Sequence, residues 1–295
     1  MSKVYLVTFV GMAYDVDSKV LAEALSKRGV RVDVVGWDDP NVDWESPDLC
    51  VVKSASNYMI KPEPFLEWAE ATEERCPLWN RRATLAWNSD KHYLLELQEK
   101  GVPMPPTIII DRGSVRSLKQ VLGSVDWDEI VIKPTISAGS FGLKKFRRDS
   151  IELDEHVGQI MGGCTQYLDG VAWQLAGSDA IIQPYIPEIL NGESSLIYFG
   201  GEFSHAVIKR AKSGDFRSHP IWGAKVEWYE PSKEELRVAR KALSVVGNVE
   251  YARLDMVMSS GGPLLIEMEL IEPFFFFDMF PETAETYADH IADSL

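Results

Sequence analysis

The sequence predicts a mixed α/β (α+β) protein of more than one compact unit, and three observations carry that expectation. Residues 1–86 alternate short apolar runs with amphipathic stretches, the pattern of a parallel sheet with crossover helices. The far end of the chain carries two strand–turn–strand patterns, over Gly200 and Gly201 and over residues 259–262, as antiparallel hairpins do. The composition is globular, 45% hydrophobic and 25% charged over 295 residues. That length allows two or three cores at about 100–200 residues each.

Taken in order, residues 4–10 read as a buried strand. Residues 18–28 read as a helix, with Leu21, Ala24, Leu25 and Arg28 at helical spacing and Gly29 as its stop. Strands follow at 31–35 and 49–52, then a helix at 64–74 carrying Phe65, Leu66 and Trp68. Gly11 stands alone after the first strand, so no G-x-G-x-x-G dinucleotide fingerprint is present. A second unit begins near Trp87. Asn88 or Ser89 is placed to cap a helix at 90–100 that ends at Gly101 and Pro103. A strand at 107–110, a helix around 114–122, a strand at 130–133, the loop 135–142 and a strand at 181–186 complete it. The last unit opens on the hairpin 195–199/202–209. Next come a loop at 211–224, expected to be mobile, and a helix at 232–246. Ser232 and Glu235 form a capping box for that helix, and Leu236, Ala239, Leu243 and Val246 line one face. The strands 252–258 and 264–270 close the chain. The expected units are therefore 1–86, 87–186 and 187–295.

Bulk properties narrow the function. The net charge of −15 disfavours a nucleic-acid partner, which requires a basic field to displace counterions. Cys50, Cys76 and Cys164 are odd in number and form no C-x-x-C pair. Neither a disulfide framework nor a zinc site is expected, and a reducing cytoplasm fits. The run at 4–10 is short and leads into Asp15 and Asp17, unlike a signal peptide. No stretch approaches the roughly 18–20 apolar residues of a membrane span; Glu267, Glu269, Glu272 and Asp278 interrupt the greasiest one.

Several features carry chemistry. Strand side chains alternate with period two, so a closing hairpin symmetric about Gly261 sets Asp255 opposite Glu267 and Arg253 opposite Glu269. The flanking positions are Leu254, Met256, Leu265, Ile266, Met268 and Leu270. Clustered acids beside an apolar core call for a cation, and magnesium prefers carboxylate and phosphate oxygens. Lys133 ends a strand and precedes a loop of small residues that includes Ser137, Gly139 and Ser140. Such a loop suits phosphate oxygens, though it is not a Walker A sequence. Gln183-Pro-Tyr-Ile-Pro-Glu188 is a stiff extended segment able to present backbone to a base edge. Lys209, Arg210, Arg217 and His219 form a basic group, and Lys91 sits in a helix first turn, where the helix dipole disfavours it. Each feature alone has an ordinary explanation: a solvated sheet face, a surface loop, a linker, a solubilising loop. No Ser–His or Cys–His constellation is evident. His205 and His219 are the nearby proton-carrier candidates, and a packing or loop role is expected for each.

The order of these pieces resembles the ATP-grasp superfamily over essentially the whole chain, within it the glutathione synthetase and ribosomal-protein glutamate ligase branch. Trp37-Asp-Asp-Pro40, Trp87-Asn-Ser-Asp-Lys91, Gly200-Gly-Glu-Phe-Ser-His-Ala206 and Glu267-Met-Glu-Leu-Ile-Glu-Pro273 resemble the O-ureidoserine cyclo-ligases of the cycloserine-synthetase type. The resemblance implies an ATP-grasp fold with an N-terminal Rossmann-like pre-ATP-grasp domain, and ATP with Mg2+ or Mn2+ as cofactors. In this chain, Lys91 and Lys133 would hold the phosphates under the 135–142 loop. Gln183 and the backbone of Tyr185 and Ile186 would meet adenine, Glu188 the ribose, and Glu193 the same pocket. Asp255, Glu267 and Glu269 would bind metal, although the wider family usually has asparagine where Glu269 stands. Arg217, Arg253 and Lys209 would neutralise the transferring phosphoryl.

The implied reaction is ADP-forming. A carboxylate becomes an acyl phosphate and a nitrogen nucleophile displaces phosphate, closing a ring when both groups lie in one small amino-acid-like molecule. A linear carboxylate–amine ligase and a non-catalytic ATP-binding module remain as alternatives. Members of that branch often form homodimers or homotetramers.

Overall fold

The computed structural model describes residues 1–12, 15–114, 118–168 and 171–295. Its first layer is a parallel sheet of β1 (Lys3–Thr8), β2 (Arg31–Gly36), β3 (Leu49–Val52) and β4 (Leu78–Trp79), in the order β2-β1-β3-β4. Helices α1 (Val16–Lys27) and α2 (Pro62–Glu73) are the crossovers. The Asp15 side chain caps α1 by accepting from the Asp17 N–H, and Leu21, Ala24 and Leu25 turn inward. Gly29, at φ +74°, supplies the left-handed residue that ends the helix and starts β2.

The helix expected at 90–100 is present as α4 (Tyr93–Glu99), starting three residues later, and an unexpected helix, α3 (Arg82–Ser89), precedes it. Asn88 and Ser89 therefore close α3 and do not cap α4. Tertiary bonding decides this. The Asn88 amide donates to the Met268 carbonyl at 2.8 Å and accepts from the Leu270 N–H at 2.8 Å, so it braces a distant strand. The turn between the helices carries Lys91 inward, where it is only 4% exposed.

After β5 (Ile108–Ile110) comes α5 (Leu118–Gly123). The start of the helix expected around 114–122 lies partly outside the described residues. Next come β6 (Glu129–Pro134), β7 (Lys144–Arg147), α6 (Leu153–Gly162), the small ribbon β8 (Thr165–Leu168) with β9 (Val171–Gln174), and β10 (Ala180–Pro184). The second sheet runs β5-β10-β6-β7, all antiparallel. β10 stops at Pro184, short of the expected 186, because a 3-10 turn follows at Pro187–Asn191.

The third sheet comprises β11 (Glu193–Phe199), β12 (Glu202–Arg210), β13 (Lys225–Trp228), β14 (Tyr251–Ser259) and β15 (Gly262–Glu269), in the order β13-β12-β11-β14-β15. Helix α7 (Lys233–Val246) carries the expected capping box of Ser232 and Glu235 and packs on one face of the sheet with α4. Helix α8 (Pro281–Ala292) returns to the first layer. One core joins Val4, Leu6 and Leu25 to Ile197, Phe199, Phe275 and Tyr287, with the Phe199 and Tyr287 rings stacked at 4.2 Å. A buried polar knot fixes this return. Lys53 is 1% exposed and meets Asp15 at 3.3 Å, Asp17 at 3.4 Å and the Pro273 carbonyl at 2.9 Å. Asp17 accepts from the Phe275 and Phe277 N–H groups at 2.6 and 2.7 Å. It thereby holds Phe276 between them at φ +62°, a conformation costly for a bulky residue. Among the described residues no helix is long and apolar enough to cross a membrane.

Candidate active site

The hairpin of β14 and β15 builds the floor of a cleft between the second and third sheets. Asp255 pairs with Glu267 and Arg253 with Glu269, the register the sequence predicts. The route to it differs. The turn itself joins Ser259 to Gly262, and a bulge between Asp255 and Met256 leaves Ile266 without a partner. A bulge adds one residue to one strand; without it the acids would pair one position off. The same irregularity brings Ile266 into the cleft lining beside Glu267, not among the core-facing residues.

Around this floor, acids and cations interlock. Lys209 lies 2.5 Å from Glu193 and 2.9 Å from Asp255. Arg253 grips Asp255 through Nε at 3.0 Å and Nη2 at 2.9 Å and also binds Glu269. The Ser195 hydroxyl donates to Asp255 at 2.6 Å. Burial opposes ionisation of Asp255, but Arg253 and Lys209 outweigh it and hold the carboxyl below its ordinary range. Burial pushes Glu269 up to about 7 against the pull of Arg253, with the Asp255 and Glu267 charges adding to the rise. Burial also raises Glu272 well above its ordinary value, next to Glu269. Asp255, Glu267 and Glu269 thus crowd three carboxyl groups onto two adjacent strands. Oxygen donors so placed are a set that fits a divalent cation, with Glu267 and Glu269 its least encumbered members.

Lys91 lies 3.1 Å from Glu267 and also donates to the Ser137 carbonyl. Its backbone N–H donates to Thr135 at 2.8 Å, which ties the α3–α4 turn to the small-residue loop. Lys133 is 7% exposed and lines the cleft. Among the described residues its side chain has no hydrogen bond or ion pair, and burial lowers its pKa. A desolvated ammonium left without a partner suits an anionic ligand. Loop 135–142 reaches over both lysines. Gly139 at φ +58° and Ser140 at φ +61° give it a left-handed bend, and Ala138, Gly139, Ser140 and Phe141 line the cleft.

The other end of the cleft is apolar, lined by Val131, Leu143, Tyr185, Ile186, Ile189 and Ile266 among others. Gln183 is buried and donates to the Thr107 hydroxyl at 2.8 Å, so part of its amide is committed within the protein. The Tyr185 N–H is likewise used, donating to Glu129 at 2.9 Å. The Tyr185 ring carries Lys145 at 4.3 Å and meets Phe216 edge-on. Glu188 is not among the residues lining the cleft. In a 3-10 turn positions i and i+3 eclipse, so Ile186 and Ile189 share the cleft side and Glu188 falls elsewhere. Every other residue given a nucleotide, metal or phosphoryl role by the resemblance, from Lys91 to Glu269, lines this one cleft, whereas Arg210 pairs with Glu227 at the surface.

Loop 211–224 forms the outer wall. Arg217 is forked onto Asp215 at 2.7–3.2 Å and lies 3.9 Å over the Trp222 ring; the guanidinium bond holds Asp215 down to about 2. Trp222 donates to the Gly139 carbonyl at 2.9 Å and meets Phe141 edge-on, joining the two loops across the mouth. Sequence reasoning missed this latch, although Trp222 followed by Gly223 in a polar loop was a signal. It also passed over Ser195 and Ser218. His219 lines the cleft with its Nδ1 accepting from Ile221 at 3.2 Å, and burial, with Arg253 and Lys209, pushes it down to about 3. His205 is buried between Ser204 and the Phe275 carbonyl, the packing role expected for it.

A three-sheet architecture with two loops closing over paired lysines and an acidic hairpin defines the ATP-grasp class. Residues 90–271 match the RimK-like ATP-grasp domain, and the chain belongs to that family; it is an ATP-dependent ligase of this class. Residues 4–80 match the N-terminal domain of D-cycloserine synthetase DcsG. The chain is 26% identical to the cycloserine biosynthesis protein DcsG of Streptomyces lavendulae over 301 residues, spanning 97% of this chain and 96% of that protein. The crystal structure of D-cycloserine synthetase DcsG matches with a TM-score of 0.86 and 25% identity over 99% of each chain. A ribosomal protein bS6–L-glutamate ligase of Escherichia coli is 27% identical over 120 residues, 40% of each chain. D-alanine–D-alanine ligase from Bacillus anthracis shares the fold, with a TM-score of 0.69 at 13% identity.

Proposed function

We propose that the chain is an ADP-forming cyclo-ligase that activates the carboxylate of a small amino-acid-like molecule and closes a ring on a nitrogen of the same molecule. The observation that carries this reading is the full-length similarity to DcsG, seated on a cleft whose polar end has an unpartnered Lys133 and an acidic hairpin. Adenine would occupy the apolar slot against Val131 and Ile266, meeting the Tyr185 carbonyl and the Ile186 N–H. Lys91 and Lys133 would hold the phosphates under the 135–142 loop. The substrate carboxylate attacks the γ-phosphorus, the bond to the bridging oxygen breaks, and ADP departs. Arg253, Lys209 and Arg217 balance the moving charge. The nitrogen then attacks the acyl carbon, inorganic phosphate leaves, and the nitrogen's proton passes to it. Ring closure within one molecule gains a large effective molarity, and the joined loops keep water from the acyl phosphate.

Glu267 and Glu269, with Asp255, would hold Mg2+ or Mn2+, which supplies charge neutralisation at the phosphates. Units at 1–86, 87–186 and 187–295, a cytoplasmic setting and a homodimeric or homotetrameric assembly belong to the same reading. Calorimetry with ATP in excess chelator is expected to show much weaker binding than with magnesium, and unchanged affinity would remove the metal assignment. The decisive experiment is incubation with ATP, magnesium and O-ureido-D-serine. Cycloserine formed together with ADP is the expected result. ADP formation that requires two separate amino acids, with no ring product, would instead make this a linear ligase.

A further inference from the structure

The cleft contains a polar group that the proposed chemistry does not use. Ser218 is 4% exposed, lines the cleft, and its hydroxyl has no hydrogen-bond partner. A buried hydroxyl without a partner costs free energy, and this one belongs to a residue of the cleft wall. Its neighbour His219 also lines the cleft, set edge-on against Phe274 at 5.6 Å. The Nδ1 of His219 accepts the Ile221 N–H, so the neutral ring carries its proton on Nε2 and offers a donor. That tautomer also removes His219 as a base at Nε2. The loop thus presents two adjacent uncharged groups able to donate a hydrogen bond, where the neighbouring charges of Arg253, Asp255 and Lys209 are already bound to one another.

We propose that Ser218 and His219 form the recognition pair for an uncharged carbonyl-bearing group of the substrate, of the amide or urea class, next to its attacking nitrogen. The inference rests on the ring-closing reading above and adds what selects its substrate. Two neutral donors suit a carbonyl oxygen; an ammonium would call for a free carboxylate, and a second carboxylate for a free arginine.

The test is steady-state kinetics of the full chain with ATP and magnesium on O-ureido-D-serine, D-alanine, and L-glutamate with L-glutamine. Ser218→Ala and His219→Phe are each expected to raise KM for O-ureido-D-serine about tenfold while leaving KM for ATP within about twofold. Ser218→Thr and His219→Gln, which keep a donor, are expected to recover most of the loss. Unchanged thermal midpoints and ATP affinity separate this from misfolding. Should the wild type form the ring while the four variants match it, the pair has no such role and the cyclo-ligase reading stands. Phosphate release by the wild type with D-alanine alone overturns both. Release that needs L-glutamine, with no ring product, removes ring closure and with it the proposed role of the pair.

Discussion

Asp255 and Glu267 face each other across one strand pair and are predicted to respond differently to the same chemical change. Glu267 has a single lysine contact within 4 Å and stands at the cleft surface. Glu267→Gln is expected to lower turnover at least about tenfold, roughly 1.4 kcal/mol of barrier, with little change in the unfolding midpoint. Asp255 instead anchors two buried cations, Arg253 and Lys209. Asp255→Asn strands them, and breaking a buried pair costs about 3–5 kcal/mol; urea unfolding should report that loss. His219 gives the pH prediction. Its folded-state pKa lies near 3, below the roughly 6.5 of an unfolded histidine. The unfolded chain therefore binds the extra proton between those values, so this group lowers stability as pH falls from about 6.5 toward 3 and is silent above. Activity between pH 7 and 9 should show no limb assignable to His219, and His219→Gln should superpose on the wild-type profile shape there.

At the scale of elements, the two loops over the cleft are joined by Trp222, through the Gly139 carbonyl, Phe141 and Arg217. Lids that exclude water belong to the low-stability end of a fold. Hydrogen exchange is expected to slow in both 135–142 and 211–224 when a non-hydrolysable ATP analogue binds with magnesium, and equal exchange in the two states would count against a lid. Trp222→Ala removes the latch, and the protection of both loops should fall together. If only 211–224 responds, the loops close independently. The bulge at Ile266 is the other element-scale device, because strand side chains alternate and a one-residue slip exchanges the faces.

Across the whole molecule, the tail after the acidic hairpin turns back into the first sheet. Phe275 and Phe277 are fully buried with Tyr287 against β1, α1 and β11, and Lys53, Asp15 and Asp17 bind the tail backbone. Phe275→Ala should therefore cost about 3–5 kcal/mol, read as a lower midpoint in the melting of the N-terminal and C-terminal layers alike. Residues 1–86 expressed alone lack the other half of that core and are expected to show no cooperative unfolding. A sharp two-state melt of that fragment would show that it is an independent unit.

The sequence by itself determined what repeats locally. The helix 232–246 is written in Ser232, Glu235 and a regular apolar face, and the strands in their apolar runs and turn glycines. Those signals need no partner from elsewhere in the chain. A turn centred on Gly261 also predicts that Asp255 faces Glu267, but the turn joins Ser259 to Gly262, and the bulge at Ile266 is what restores that pairing. Tertiary structure decided what depends on distant contacts. Asn88 reads as a helix cap until β15 takes its hydrogen bonds. Lys91 reads as an exposed lysine until Thr135 and Glu267 enclose it. Glu188 reads as a site residue until a 3-10 turn sets it off the cleft. Ser218 carries no sequence signal at all, since burial and the lack of a partner are properties of the closed loop. A side chain's propensity is fixed by its own atoms and near neighbours, whereas its desolvation is fixed by segments dozens of residues away.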